Sequence, residues 1–161
     1  MENRTQRSLY LALLSLIVAA GCAPSPQQLK KSLFDAVRSG DVSTVKRCIA
    51  RKVNLNDPET PGGWSALHYA ARSGNPEVVK ILLDAGTDPN YAGTAPGQTG
   101  TIIRLTPLIL ARATMQLAQA AQGNPALQFE PPDLDKALKS PGAVARYEQI
   151  CTLLEPVTTR H

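Results

Sequence analysis

Aromatic side chains are scarce in this sequence. Phe, Trp and Tyr make up 4% of its 161 residues, which disfavours a β-sandwich, because strands are usually rich in aromatic and β-branched residues. Ala and Leu are abundant and there are 13 prolines, a mixture typical of packed helices joined by sharply defined turns. The length and composition therefore favour a single all-α domain.

Charge is also limited. The net charge is +4 at pH 7, whereas nucleic-acid binding requires many Lys and Arg residues clustered on one face. We therefore expect no nucleic-acid partner. The charge is unevenly placed, since residues 30–52 hold seven cationic and two acidic side chains. We interpret this stretch as the solvated outer face of the first helices rather than as a dedicated electrostatic patch.

The residues that catalysis or metal binding would need are missing. The sequence has two histidines, His68 and His161, and His68 has no second ligand at zinc-site spacing. There is no G-x-S-x-G nucleophile motif, and the glycine-rich residues 93–100 lack the Lys-Ser/Thr ending of a phosphate loop. We therefore predict no catalytic residue, no metal and no cofactor, and we interpret residues 93–100 as a flexible finger.

No apolar run is long enough to cross a bilayer as a helix, which takes about 20 residues. Residues 9–20 are apolar except for Ser15, follow Arg4 and Arg7, and stop at Gly21 and Cys22. A charged start, a short apolar core and small residues are typical of an export signal. The alternative is a plain cleaved signal beside an incidental cysteine.

Residues 19–22, Ala-Ala-Gly-Cys, resemble the lipobox of bacterial lipoproteins. That resemblance implies cleavage before Cys22 and attachment of a lipid anchor to its thiol, and two or more acyl chains anchor a protein stably. Ala23 follows where an Asp would imply retention in the inner membrane, so the resemblance implies the outer membrane, facing the periplasm. The predicted organisation is a signal peptide at 1–21, a short tether at 22–28 and a folded domain at 29–161.

The domain contains an internal repeat of 34 residues. At this offset residues 34–41 align with 68–75, Val45 with Val79, and Asn56 with Asn90. Within each unit a glycine, Gly40 or Gly74, can take the left-handed conformation that ends a first helix. An Asp or Asn follows and can cap a second helix. Each unit is therefore predicted to be a helix, a tight turn, a second helix and an extended link.

Residues 64–71 (WSALHYAA), 74–79 (GNPEVV) and 82–90 (LLDAGTDPN) resemble an almost complete ankyrin repeat. The resemblance implies an all-α fold, a short ankyrin-repeat solenoid of about three helix-turn-helix repeats with hairpin fingers. The repeats are predicted at about 29–57, 62–91 and 105–156. His68 falls at the TPLH position of the family, which implies a structural role in which its imidazole hydrogen-bonds backbone and ties neighbouring turns together.

The third repeat departs from the pattern. Its second helix, residues 148–154, aligns with 77–83 at an offset of 71, which predicts an insertion near 115–144. Part of the insertion is expected to lengthen the first helix as far as residue 121, and residues 133–139 are a candidate short helix. The link from residue 90 to 106 is also long, and residues 101–103 can return as a strand.

Cys48 and Cys151 are predicted to be unpaired. Both fall in second helices, but in the first and third repeats, which a stack separates by a whole repeat. Disulfide-bonded Cα atoms lie within about 7 Å of each other. We interpret both cysteines as small buried hydrophobic residues.

The ankyrin resemblance implies a binding surface on the hairpin links and on the exposed face of the first helices. Carried over by position, it implies partner-binding roles for Trp64 and Tyr91 at the links and for Asp35, Arg38, Tyr69 and Arg72 on the first helices. Trp, Tyr and Arg are also the residue types that most often carry binding energy. The alternative for each is structural packing, of Trp64 on the neighbouring hairpin or of Tyr69 on its own helix pair.

The function predicted is that of a periplasm-facing module that binds another protein. Exported ankyrin lipoproteins resemble immunity proteins, which implies a toxin partner such as a type VI phospholipase effector. The alternative is an envelope assembly or protective factor for a resident periplasmic enzyme. A third alternative is an active site in the insertion, although Glu130, Asp133 and Asp135 have no nearby histidine in the sequence. We also expect the link at 90–106 and the insertion at 123–142 to grip the partner together with the first helices, so that shortening 123–142 should abolish function without lowering the melting temperature.

Overall fold

The computed structural model describes residues 24–60, 63–96 and 102–158. The predicted signal peptide, Cys22 and the start of the predicted return strand at Thr101 lie outside these residues. The described part contains seven helices and one two-stranded sheet. In chain order they are α1 (Pro26–Ser39), α2 (Val42–Ala50), α3 (Ala66–Ser73), α4 (Pro76–Asp84), β1 (Gly93–Pro96), β2 (Ile102–Leu105), α5 (Pro107–Gly123), α6 (Pro132–Lys139) and α7 (Ala143–Thr158).

The helices begin where the sequence offers an N-cap. Ser25 and Gln28 form a reciprocal capping box at the start of α1. The carboxylate of Asp41 accepts a hydrogen bond from a backbone amide of α2 at 3.1 Å, and the side chain of Asn75 does the same for α4 at 3.2 Å. These caps satisfy backbone donors that have no partner within the helix.

Three helix pairs stack into a short solenoid, and the predicted all-α architecture is confirmed. The pair α1/α2 packs on α3/α4, which packs in turn on α5 and α7. The central helix α3 is the most enclosed, with Ala66, Leu67, His68, Ala70 and Ala71 buried. One continuous core runs through all three pairs, as expected when neighbouring repeats bury each other's apolar faces.

A β-hairpin projects between the second and third helix pairs. Strands β1 and β2 are antiparallel, with Gly93 opposite Leu105 and Pro96 opposite Ile102. The long link between the second and third repeats thus contains a finger, and its second strand begins within the segment predicted to return. Ile102 and Ile103 on β2 are 72% and 45% exposed.

The insertion in the third repeat is folded against the solenoid. Helix α5 runs on to Gly123, and the candidate short helix is present as α6, which packs on α3, α5 and α7. Leu138 of α6 is fully buried. Removing a buried leucine costs about 2–5 kcal/mol, so the expectation that residues 123–142 can be shortened without loss of stability is wrong.

The third pair is joined to the second by two residues at the start of α7. The hydroxyl of Tyr147 donates a hydrogen bond to the carbonyl of Arg72 at 2.8 Å, and its ring is fully buried. Burial raises the pKa of Tyr147 to about 12. The guanidinium of Arg146 donates to the carbonyl of Gly74 at 3.1 Å and to the carbonyl of Pro141 at 2.7 Å. Arg146 thereby ties the end of the insertion to the turn of the second repeat.

Within the described part of the chain, no helix has both the length and the apolar character needed to cross a bilayer.

Candidate partner-binding surface

Aromatic residues gather at the start of α3. Trp64 stacks on the ring of His68 with 6.1 Å between centroids and meets Tyr69 edge-on at 5.4 Å. Tyr91, at the base of the finger, joins the cluster through His68: the two rings meet edge-on with 5.9 Å between their centroids. Trp64, Tyr69 and Tyr91 are each partly exposed, so the cluster packs on the solenoid while presenting part of its surface to solvent.

His68 fastens the finger to the second repeat. Its Nδ1 accepts hydrogen bonds from the backbone amide and the hydroxyl of Ser65, at 3.3 and 2.8 Å. The hydrogen therefore sits on Nε2, which donates to the carbonyl of Leu105 at 2.7 Å. Burial lowers the pKa of His68 below its usual 6.5, although the bond to Leu105 partly opposes that shift. A neutral imidazole is thus built into the base of the finger.

A polar network links the first and second repeats. Glu59 accepts hydrogen bonds from the guanidinium of Arg38 and, at 2.6 Å, from the hydroxyl of Tyr69. The guanidinium of Arg38 also lies over the ring of Tyr69, 4.3 Å from its centroid, and 3.7 Å from the carboxylate of Asp35. The bond from Arg38 lowers the pKa of Glu59 despite partial burial. Asp35, Arg38 and Tyr69 therefore form one surface.

Arg72 connects this surface to the insertion. Its guanidinium lies 5.7 Å from the centre of the Trp64 ring and 3.8 Å from the carboxylate of Asp133 on α6. A small pocket of about 90 Å³ separates Arg38, Tyr69 and Arg72 from Asp133 and Leu134. Helix α6 thus borders the exposed face of the first helices and closes one side of it.

The six residues predicted to bind a partner are connected by contacts. Asp35 contacts Arg38, Arg38 contacts Tyr69, and Tyr69 contacts Trp64. Trp64 also contacts Arg72, and His68 lies between Trp64 and Tyr91. We call this set the aromatic-arginine surface. Their roles in binding stay predictions. Sequence reasoning missed Glu59, because it lies in a link without repeat equivalence. It also missed Arg146 and Tyr147, although both align with the capped start of α4 at the offset of 71.

Neither described cysteine is suited to nucleophilic chemistry. Cys48 and Cys151 are unpaired and buried, as predicted, and burial raises the pKa of both thiols. A raised thiol pKa leaves less of the reactive thiolate at neutral pH. The described residues also contain no cluster of three His, Cys, Asp or Glu side chains placed to hold a metal ion. The surface thus offers stacking, apolar contact and charge-assisted hydrogen bonds, the interactions of recognition.

Comparison with known proteins places the described repeats in one family. A family model of ankyrin repeats, in three copies, matches residues 7–92. The match begins inside the predicted signal peptide and ends before the predicted third repeat. Similar curated proteins are the 2-5A-dependent ribonuclease of Mus musculus, 33% identical over 72 residues, and the tRNA endonuclease ANKZF1 of Homo sapiens, 36% identical over 96 residues. The mitochondrial disaggregase of Bos taurus is 35% identical over 79 residues.

The aligned regions cover only a small fraction of the relatives' own length. They cover 45%, 55% and 49% of this chain but 10%, 13% and 12% of those three proteins. The shared region is therefore a small part of each relative, and the activities in their names do not carry over to this chain.

Proposed function

This chain belongs to the ankyrin-repeat family, and on that premise we propose that it is a lipid-anchored binding protein of the bacterial envelope whose ligand is another protein. Ankyrin repeats are protein-protein interaction modules, which use the extended surface of a stacked solenoid for binding. The observation that carries the proposal is the finger. Ile102 and Ile103 project from β2 with 72% and 45% of their surface exposed, beside the aromatic-arginine surface.

Exposed apolar side chains on a hairpin held by a rigid scaffold are typical of a binding site. The finger is fixed at its base by His68 and Tyr91, so little ordering of the base is needed on binding, and preorganisation of this kind improves affinity. Trp64 and Arg72 lie next to this base and supply the residue types that dominate interface energetics.

The anchor is supported by the order of residues 4–22, namely positive charge, an apolar core, small residues and Cys22. We expect labelled palmitate to enter the wild-type protein and to be lost from Cys22→Ser, while a Cys48→Ser control keeps the label. Incorporation that survives Cys22→Ser would overturn the anchor.

The finer proposal is that the partner is a toxin, such as a phospholipase delivered by type VI secretion, which this protein neutralises at the outer membrane. Its support is the resemblance to exported ankyrin lipoproteins. Cells that lack the protein should be killed by an attacker that delivers the periplasmic lipase and rescued by the wild-type gene. Equal survival with and without the gene would contradict immunity and leave the binding function standing.

The binding surface is tested in the same assay or by pull-down from envelope extracts. Ile102→Ser/Ile103→Ser should lose the partner, because it removes the apolar contact while leaving the core intact. Leu117→Ser, which alters another exposed apolar residue (37% exposed) on α5, is the matched control and should bind normally. Normal binding by the finger variant would show that the partner lies elsewhere.

A further inference from the structure

Among the described residues, the first repeat has a face on which no other repeat packs. Helices α1 and α2 make their extensive contacts with each other and with the second repeat, α3 and α4. At the start of α1 and the end of α2 lies an open groove of about 490 Å³. Its walls include the apolar side chains Pro26, Leu29 and Val53, and its rim carries the cations Lys30, Arg51 and Lys52. We call this region the basic end face.

Two cations of this face are not neutralised by ion pairs. Arg51 and Lys52 are exposed and unpaired within the described ranges, whereas Lys80 in the next repeat pairs with Asp84 at 2.9 Å. Lys30 is the exception, since it pairs with Asp57 at 2.8 Å.

The basic end face lies beside the proposed anchor. Only Ala23 separates Cys22 from Pro24, the first described residue. Two residues span at most about 7 Å, so a lipid on Cys22 would hold Pro24 within about one Debye length, about 10 Å at 0.1 M salt, of the membrane surface. Attraction between these cations and anionic headgroups is only partly screened at that range.

We propose that the basic end face docks on the anionic phospholipid headgroups of the membrane that holds the anchor. Arg51 and Lys52 contact the phosphates, and the apolar walls of the groove face the boundary between headgroups and acyl chains. Each Lys or Arg near an anionic surface favours the docked state about fivefold. This inference rests on the proposed lipidation of Cys22 and adds an orientation to it.

Docking in this way determines which parts of the molecule face outward. The repeats are stacked in chain order, with α1/α2 at one end and α5/α7 at the other. With the first repeat on the membrane, the third repeat stands farthest from the anchor along the stack. The finger, at the junction of the second and third repeats, is one repeat removed from the groove.

The test is lysine footprinting of the full lipidated protein in vesicles. The protein is reconstituted in vesicles of phosphatidylcholine alone or with added phosphatidylglycerol, and an amine-reactive reagent is followed by mass spectrometry. Labelling of Lys30 and Lys52 should fall about fivefold with phosphatidylglycerol and recover at high salt. Labelling of Lys80 and Lys136 should not change.

Charge-reversal variants separate this surface from net charge. In Arg51→Glu/Lys52→Glu, protection of Lys30, the remaining lysine of the basic end face, should disappear. The matched control is Arg104→Glu/Lys136→Glu, which reverses two exposed cations that are unpaired among the described residues and lie away from the end face. It should keep the protection.

The outcomes distinguish this inference from the proposal on which it rests. Intact mass shows whether lipid is attached, and its absence would overturn both. A lipidated protein with equal labelling in the two vesicle types would overturn docking alone, as would loss of protection in the control variant. Protection present without vesicles, in a chain that retains residues 1–21, would assign the groove to the chain's own apolar segment and overturn the proposal.

Discussion

The junction between the first and second repeats and the junction between the second and third use the same glycine turn, but different side chains pack over that turn. Gly40 ends α1 and Gly74 ends α3, with φ angles of 73° and 69°. Over Gly40 lies the side-chain amide of Asn75, which is partly exposed and also caps α4. Over Gly74 lie the buried ring of Tyr147 and the guanidinium of Arg146.

The alignment explains the difference. At the offset of 71, Asn75 corresponds to Arg146 and Pro76 to Tyr147. The third repeat thus replaces a cap and a helix-starting proline with two residues inside a longer helix. Its outer helix needs no start at this point because the insertion leads into α7 earlier, at Ala143. An insertion between paired helices is tolerated here because the residues at its end bind the preceding turn.

The largest expected effect is at the second junction. Tyr147→Ala removes a buried ring and its hydrogen bond, and we expect the free energy of unfolding to fall by about 3–5 kcal/mol. Asn75→Ala, the equivalent change at the first junction, removes an N-cap and should cost about 1 kcal/mol. Urea unfolding followed by circular dichroism measures both. Similar costs would contradict the distinction between the junctions.

A smaller difference is expected between the glycines. Alanine in the left-handed region costs about 1–2 kcal/mol at either position. At Gly74 the new Cβ would also lie 3.0 Å from the ring of Tyr147, which cannot yield easily, so Gly74→Ala should cost about 1 kcal/mol more. At Gly40 it meets the end of the partly exposed Asn75 side chain, which can shift. Thermal melts of the two variants measure this difference, and a larger loss of stability in Gly40→Ala than in Gly74→Ala would contradict this account.

The regular parts of the fold were predictable from local signals. Capping residues such as Ser25 and Asp41, the turn glycines and the 34-residue repeat each fix a short piece of backbone, and together they predicted the helix pairs. The packing of α6 was not predictable, because whether Leu138 faces the core depends on a long-range contact that no spacing encodes. Glu59 was missed because it lies in a link without repeat equivalence, and its partners, Arg38 and Tyr69, lie in two different helices.

Acid should weaken the second junction selectively. Because burial lowers the pKa of His68 in the folded state, the unfolded chain takes up a proton first as pH falls below about 6.5. Stability is then lost as pH falls further, by at most about 1.4 kcal/mol per pH unit. The equivalent position in the first repeat is Phe34, which does not titrate.

The control for this prediction is His68→Gln. Its unfolding free energy should vary less between pH 7 and pH 5 than that of the wild type, although it starts lower. An unchanged pH dependence would show that other groups, such as Glu59, govern the acid response.

The smallest effect is expected at the contact between the insertion and α3. Asp133 is 72% exposed at the side chain and lies 3.8 Å from Arg72. An exposed pair of this kind contributes about 0–1 kcal/mol. Asp133→Ala should therefore change the melting temperature little, whereas a large loss would mean that charge, and not Leu138, holds α6 in place.

Photo-crosslinking tests most directly the central claim that a partner protein is held by the finger. A photoreactive phenylalanine analogue is placed in the full-length protein in living cells, at Ile102 on the finger or at Lys80 on the exposed face of α4. The account predicts a discrete protein adduct from position 102 and none from position 80. Adducts from position 80 with none from position 102 would contradict it.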